Sequence, residues 1–290
     1  MISIILPVRN NDATGLVYAI HRQLENIAIP SEILVMDDAS DEAYAYLFAE
    51  IRKLPLVKLF HSPSRRGAMP SRIELAKNAR YPYLLMLDSD NLIINEHFMQ
   101  EWLKVVRKNL PVVSGGTLFP DNPPAEEYIL CWKYRKERET QQGLLITRNL
   151  LIRKDIFLSI NFPDELLQHY GHDDTWLGIQ LRKKGIRLKE IKNPCLNEGF
   201  DTAELFIKKA EQALGNLKRM RRFETAGNIS AQVKLFRTAY ILQQTGLAFL
   251  FKGYYAVNKK RIHKNLFSSN PSLKNFDYYR LNYLLNLKNA

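Results

Sequence analysis

Leu84-Leu85-Met86-Leu87-Asp88-Ser89-Asp90 decides how this chain reads. Four consecutive apolar residues end abruptly in two carboxylates one residue apart. A run without polar alternation suits a strand covered on both faces of a sheet. Three similar runs lie upstream, at Ile2–Val8, Glu32–Met36 and Val57–Phe60. Helical patterns separate them, near Asp12–Asn26, Asp41–Leu54 and Pro70–Ala79. Strand and helix alternating at this spacing predict βαβ units and a mixed, mostly parallel α/β sheet flanked by helices. Ligands bind such sheets at the carboxyl ends of the strands, so polar residues directly after the runs are the candidate site.

Downstream, a helix is expected over Glu96–Lys108, a strand over Pro111–Ser114 and a charged helix over Glu126–Arg138. Leu144–Ile152 reads as a strand, Asp173–Lys184 as a helix and Ile186–Ile191 as the last strand of the body. After residue 200 the pattern is helical: Ala203–Phe223, then a more apolar Ile229–Tyr255, then an aromatic-rich helix beyond Ser268-Ser269-Asn270-Pro271. Two domains are expected, an α/β body over 1–200 and a basic helical region over 201–290.

Charge marks the same boundary. The 290 residues carry 42 Lys+Arg and 30 Asp+Glu, a net of +12. Residues 201–290 hold 16 basic and 5 acidic residues, which leaves 26 and 25 for the first 200. A near-neutral body with a basic tail has two readings: a helical subdomain that packs its apolar face on the body and solvates its charges, or a surface for an anionic partner, membrane lipid before nucleic acid. No helix-turn-helix, finger or aromatic RNA-binding motif appears, so no nucleic-acid partner is expected. The two cysteines, Cys131 and Cys195, form no metal-ligand cluster and suit a reducing cytosol. With no export signal and no clean apolar stretch of about 18 residues, the expected location is cytoplasmic, with peripheral attachment to the inner membrane face.

Three acidic clusters carry the chemistry: Asp37-Asp38 after Ile33–Met36, Asp88-Ser89-Asp90, and Asp173-Asp174 after Tyr170-Gly171-His172. Carboxylates crowded into one crevice repel one another unless a cation compensates, and Mg²⁺ or Mn²⁺ is the usual compensator. Each cluster has a plainer reading: Asp37 as a turn residue, Asp88-Ser89-Asp90 as a solvated loop after a buried strand, and Asp173 as a helix N-cap; Arg72 likewise has a plainer reading as a helix-surface charge. His172 reads as a loop residue, and Trp132 and Trp176 as packing.

Ile4-Ile5-Leu6-Pro7-Val8-Arg9-Asn10, Val35-Met36-Asp37-Asp38-Ala39-Ser40 and Leu85-Met86-Leu87-Asp88-Ser89-Asp90 together resemble the nucleotide-binding half of the family 2 glycosyltransferases of the GT-A fold. Asn149–Phe157 with Phe162-Pro163-Asp164-Glu165 resembles the acceptor-side block. Gly171–Leu177 with Leu181-Arg182-Lys183-Lys184-Gly185 resembles its acidic helix. The resemblance covers about residues 1–200. It implies inverting transfer of a sugar from a nucleoside-diphosphate donor, a UDP-sugar first, to a hydroxyl of a saccharide or lipid-linked saccharide, as in cell-surface polysaccharide or glycolipid synthesis. It places Pro7, Val8, Arg9 and Asn10 around the nucleotide and Asp38 on the base with Asp37 beside it. Arg72 falls near base and diphosphate, and Asp88 and Ser89 on the ribose side. Asp90, with Asp88, would hold the divalent metal, and Asp174 would be the catalytic base with Asp173 as its rival.

Two features depart from the family pattern. Asn197 stands in Asn193–Phe200 where a histidine is common, and Ser64-Arg65-Arg66-Gly67 replaces an Asn-x-Gly type turn. The Gln-x-x-Arg-Trp motif of processive synthases is absent. A sugar nucleotidyltransferase would need a glycine-rich phosphate loop, yet Pro7–Asn11 holds no glycine. A non-catalytic basic protein that binds nucleic acid or membrane is the remaining class.

Overall fold

The computed structural model describes residues 1–27, 29–141 and 143–287. The elements run β1 (Ile2–Val8), α1 (Thr14–Glu25), β2 (Ser31–Asp37), α2 (Ala45–Ile51), β3 (Val57–His61), α3 (Ala68–Asn78), β4 (Tyr83–Leu87), β5 (Asn91–Leu92) and α4 (Phe98–Arg107). There follow β6 (Val112–Ser114), β7 (Thr117–Leu118), α5 (Ile129–Tyr134), β8 (Asn149–Arg153), α6 (Lys154–Leu158), α7 (Asp164–Leu167), α8 (Asp173–Lys183), β9 (Lys189–Glu190) and β10 (Cys195–Asn197). The last five are helices: α9 (Ala203–Arg219), α10 (Ala226–Gln232), α11 (Lys234–Gln244), α12 (Ala248–Leu266) and α13 (Leu273–Asn286).

The chain divides into two units. The first comprises 1–120, 140–161 and 184–199, and the second 121–139, 162–183 and 200–290. The charge boundary near residue 200 therefore coincides with the last crossing between units, but the helical unit also draws in two earlier segments.

The first unit is built on a seven-stranded sheet in the order β3-β2-β1-β4-β8-β6-β9. Strands β3, β2, β1 and β4 are mutually parallel, while β8 runs antiparallel to both β4 and β6. All seven residues of β1 and all five of β4 are buried, which is why these runs lack polar alternation. Ile2, Ile4, Leu6 and Val8 join Leu16, Val17, Ile20 and Leu24 of α1, Phe48 and Ile51 of α2, and Trp102 of α4 in one cluster. None of α3 belongs to that cluster, although α3 also packs against β1. Right-handed crossovers demand this: moving from β1 to β2 to β3 puts α1 and α2 on one face, and returning to β4 puts α3 on the other. The winding reverses between β1 and β4, and a crevice opens there outside the strand ends. A small second sheet, β5-β10-β7, pairs Asn91 with Asn197 and Leu92 with Leu196.

The second unit is helical. Leu130, Ala203, Ile207, Tyr255, Ile262, Leu266, Leu273 and Phe276 form its core. Thr202 caps α9 by accepting from the Leu205 amide. The apolar helical stretch Ile229–Tyr255 is divided among three helices. Val233 is extended between α10 and α11, and Gly246, at φ 73°, takes a left-handed conformation between α11 and α12. Likewise the helix expected over Glu126–Arg138 is a 3₁₀ turn, α5 and a π turn in succession. Among the described residues no helix is long and apolar enough to cross a membrane.

Candidate functional site

The switch point gathers the residues that follow β1, β2 and β4. Asn10, with φ 47°, turns the chain after β1. Its side-chain amide exchanges hydrogen bonds with Asp41, donating to the carboxylate and accepting from the backbone amide, each at 2.8 Å. The Asn11 amide donates to Ser89 Oγ at 3.0 Å, so the ends of β1 and β4 are tied directly. Arg9 brings a guanidinium whose Nη1 is buried and finds no hydrogen-bond partner among the described residues.

The two aspartates after β2 do different work. Asp37 Oδ1 accepts from the Ser40 amide at 2.9 Å, and Oδ2 lies 3.2 Å from His61 Nδ1. Asp37 therefore closes a turn and ties β2 to β3. Asp38 is buried, with its oxygens accepting from the backbone amides of Arg66 at 2.7 Å and Gly67 at 2.8 Å. This carboxylate orders the Ser64–Gly67 loop that leads into α3.

Asp88 is clasped by two arginines. Arg72, on the buried face of α3 and only 4% exposed, reaches Oδ1 through Nη2. Arg148, 8% exposed, sets Nε 3.3 Å from Oδ2. Arg72 is thus no helix-surface charge, and its Nε is a buried donor with no hydrogen-bond partner among the described residues. Sequence reasoning missed Arg148. Because β8 is antiparallel to β4, Leu87 pairs with Asn149, and the residue before β8 falls beside the residue after β4. The Asp88 amide donates to the Arg148 carbonyl at 3.2 Å, completing the junction. A basic residue two places before the apolar run Leu150–Ile152 was the available signal.

Asp90 lies beside β10. Asn197 is fully buried, and its Nδ2 faces Asp90 Oδ1 at 2.6 Å, the Asp90 carbonyl at 3.4 Å and Asn91 Oδ1 at 3.0 Å. Three oxygens around one nitrogen fix the amide as a donor, so Asn197 positions Asp90. Gly199 is required by the same packing: a Cβ there would fall 2.1 Å from Asp90 Oδ2. Among the described residues no group of three or more His, Cys, Asp or Glu is arranged to hold a metal. Asp90 still offers hard oxygen donors, and magnesium-type sites commonly take one or two carboxylates and complete their shell with substrate phosphates. The residues present fit a metal brought in with a phosphorylated ligand.

Asp173 and Asp174 belong to the second unit, in the first turn of α8, where carboxylates are favoured by the helix dipole. Asp173 is the first helical residue, one place beyond the cap position. His172 precedes it at φ 65°, with Nδ1 3.0 Å from Thr175 Oγ1. Burial, aided by the Arg280 guanidinium, lowers the His172 pKa to about 4, so the ring is neutral at pH 7. The turn is anchored from α9: buried Asn216 donates to the carbonyls of Leu166 at 3.0 Å, His169 at 3.3 Å and Gly171 at 2.7 Å. Trp176 is buried edge-on to Phe223, as packing residues are. Neither cysteine is poised for chemistry, since burial pushes both thiols up.

Comparison with known proteins agrees with this arrangement. The model described as glycosyl transferase family 2 matches residues 3–161, more than half of the chain. An uncharacterized glycosyltransferase of Haemophilus influenzae is 28% identical over 124 residues, which cover 42% of this chain and 48% of the relative. The chain thus spans about half the length of that curated relative. Among solved structures, a mannosyltransferase from Pyrobaculum calidifontis, in complex with GDP-Man and Mn²⁺, superposes with a TM-score of 0.53 at 15% identity, covering 76% of this chain and 64% of that one. S. aureus TarS residues 1–349, in complex with UDP, gives 0.51 at 16% identity, covering 97% of this chain and 90% of that one. At such identities the likeness is one of fold, the GT-A fold.

Proposed function

Because the chain belongs to glycosyl transferase family 2, we propose that it moves a sugar from a nucleoside-diphosphate donor to an acceptor hydroxyl with inversion at the anomeric carbon. The observation that carries this reading is the set of arginine donors at the switch point. Two buried guanidiniums, Arg72 and Arg148, reach the Asp88 carboxylate, and Arg9 Nη1 and Arg72 Nε are buried donors without a hydrogen-bond partner among the described residues. Buried donors call for acceptors, and arginine donors suit a diphosphate.

In this reading Pro7, Val8, Arg9 and Asn10 line the nucleotide, and Asp38 stands on the base side with Asp37 holding the turn. Asp88 aims Arg72 and Arg148, and with Ser89 meets the ribose. Asp90 is the protein ligand of a divalent cation, Mn²⁺ or Mg²⁺, which when bound supplies Lewis-acid neutralisation of the departing diphosphate. Asn197 and Gly199 hold Asp90 in place. Asp174, with Asp173 beside it, takes the proton of the attacking hydroxyl, a role worth about 10²–10⁴ in rate. The donor is a UDP-sugar, and the acceptor a saccharide or lipid-linked saccharide presented at an anionic membrane face during surface polysaccharide or glycolipid assembly.

Thermal unfolding with a panel of nucleoside diphosphates, each with and without Mn²⁺, tests the donor site. A ligand at about 100 times its dissociation constant adds about 2.7 kcal/mol. A shift that needs both UDP and metal, and is lost in Asp90→Ala, supports the assignment. No shift with any nucleoside diphosphate overturns it.

A further inference from the structure

The second unit carries a surface that sugar transfer does not explain. Of the nineteen large apolar residues exposed among the described residues, seven fall between Tyr240 and Val257. Val257 is 87% exposed, Phe249 69% and Leu250 56%. Single exposed apolar residues are ordinary, whereas a cluster over the end of α11, the turn after it and the first half of α12 is not. On α12, Leu250, Tyr254, Val257 and Arg261 recur at i, i+4, i+7 and i+11, the spacing of one helical face. Phe249, Lys260 and Lys264 flank that stripe. The first half of the face is apolar and the second half is cationic. The opposite side is already used: Tyr255, Ile262 and Leu266 are buried in the unit's own core.

Charge selects the partner. From Thr225 to Phe276 the chain has no Asp or Glu but eight Lys or Arg. Lys252 and Lys259 line a cavity of about 410 Å³ with Tyr255, His263 and Tyr279, so the cations on the exposed stripe are Lys260, Arg261 and Lys264. A second copy of this face would meet it cation to cation. A nucleic-acid backbone would match the charges but leave Phe249, Leu250 and Val257 in water. An anionic lipid surface satisfies both halves at once, with apolar side chains in the acyl boundary and cations among the headgroups.

We propose that α12 is a membrane-docking helix, lying in the plane of an anionic bilayer with Phe249, Leu250, Tyr254 and Val257 immersed and Lys260, Arg261 and Lys264 on the headgroups. The helix lies on the surface and does not span it. This rests on the membrane partner named above and gives it a location. It is read without sugar transfer, so its failure leaves the donor site untouched.

The test is co-sedimentation of the full chain with phosphatidylglycerol/phosphatidylcholine vesicles against phosphatidylcholine alone, at low and high salt. The expected result is binding to the anionic vesicles that weakens with salt. Lys260→Ala/Arg261→Ala/Lys264→Ala should bind about a hundredfold more weakly, at roughly one decade or less per charge. Phe249→Ser/Leu250→Ser/Val257→Ser should lose about tenfold or more. Both triple variants change exposed positions and should keep the wild-type circular dichroism and the UDP-dependent thermal shift. Absence of wild-type binding to anionic vesicles at low salt overturns the proposal. So does an apolar variant that binds as well as wild type, tighter binding to duplex DNA than to vesicles, or a dimer that only the apolar variant dissociates.

Discussion

Asp88→Asn is the most informative single change at the switch point. It keeps the side-chain volume and removes the one charge between Arg72 and Arg148. Removing one partner of a buried ion pair costs about 3–5 kcal/mol, because the remaining charge stays desolvated. Asp88 retains 32% side-chain exposure, which screens part of the loss. The expected cost is therefore at the low end, about 3 kcal/mol. Coulomb's law gives a similar size, about 4 kcal/mol for one pair at 4 Å and an effective dielectric of 20. Urea denaturation followed by tryptophan fluorescence reads it, because Trp102 is fully buried in the first unit's core. Arg148→Met completes a double-mutant cycle. The double variant should be more stable than the sum of the singles by about 1 kcal/mol or more, since one buried cation leaves together with the anion. A cost for Asp88→Asn below about 0.5 kcal/mol, or singles that add within that margin, would refute the idea of a desolvated clasp.

Other perturbations probe neighbouring parts. Gly199→Ala should displace the Asp90 carboxylate, costing about 1–3 kcal/mol by overpacking and abolishing the metal-dependent UDP shift while leaving the secondary structure by circular dichroism unchanged. Asp174→Asn should lower sugar transfer by about 10²–10⁴ with the UDP-dependent shift intact, and Asp173→Asn far less; the reverse order would exchange their roles. His172, with an ordinary pKa near 6.5 when unfolded and about 4 when folded, takes up its proton in the unfolded state first. It contributes stability that is complete above pH about 6.5 and is lost as pH falls towards 4, so stability rises with pH across that window. His172→Asn should flatten this limb in urea titrations at successive pH values, and an unchanged slope would place the ring in water.

Periodicity made the left half of the sheet legible, because β1, β2 and β4 are covered on both faces and so appear as unbroken apolar runs. The short strands were not legible: β5, β7 and β10 span two or three residues and pair only through tertiary contact. Leu144–Ile152 was expected to be extended throughout, whereas β8 begins at Asn149, and that difference is where Arg148 was lost. The donor-side carboxylates could be listed from sequence, but not which were already engaged. Asp38 bonded to two loop amides and Asp88 held by two arginines look alike in a string of letters. Asn197 was marked as standing where a histidine is common, and its three-oxygen environment required the pairing of β10 with β5.

The chain passes between its two units five times, at 120/121, 139/140, 161/162, 183/184 and 199/200. The turn that presents Asp173 and Asp174 is pinned by Asn216, some forty-five residues later, and a Cβ at Gly171 would fall 2.5 Å from Ala213 Cβ. On the ribosome, the parallel strands can pair while these carboxylates still lack their anchor. They acquire it only after α9 has emerged, and the core around Leu130 waits longer still, for Phe276. A nascent or truncated chain ending near residue 200 would carry the sheet unit with an unsupported acidic turn. Exchanging the helical unit for that of a relative would therefore require five coordinated junctions rather than one, because the unit is assembled from three separate segments.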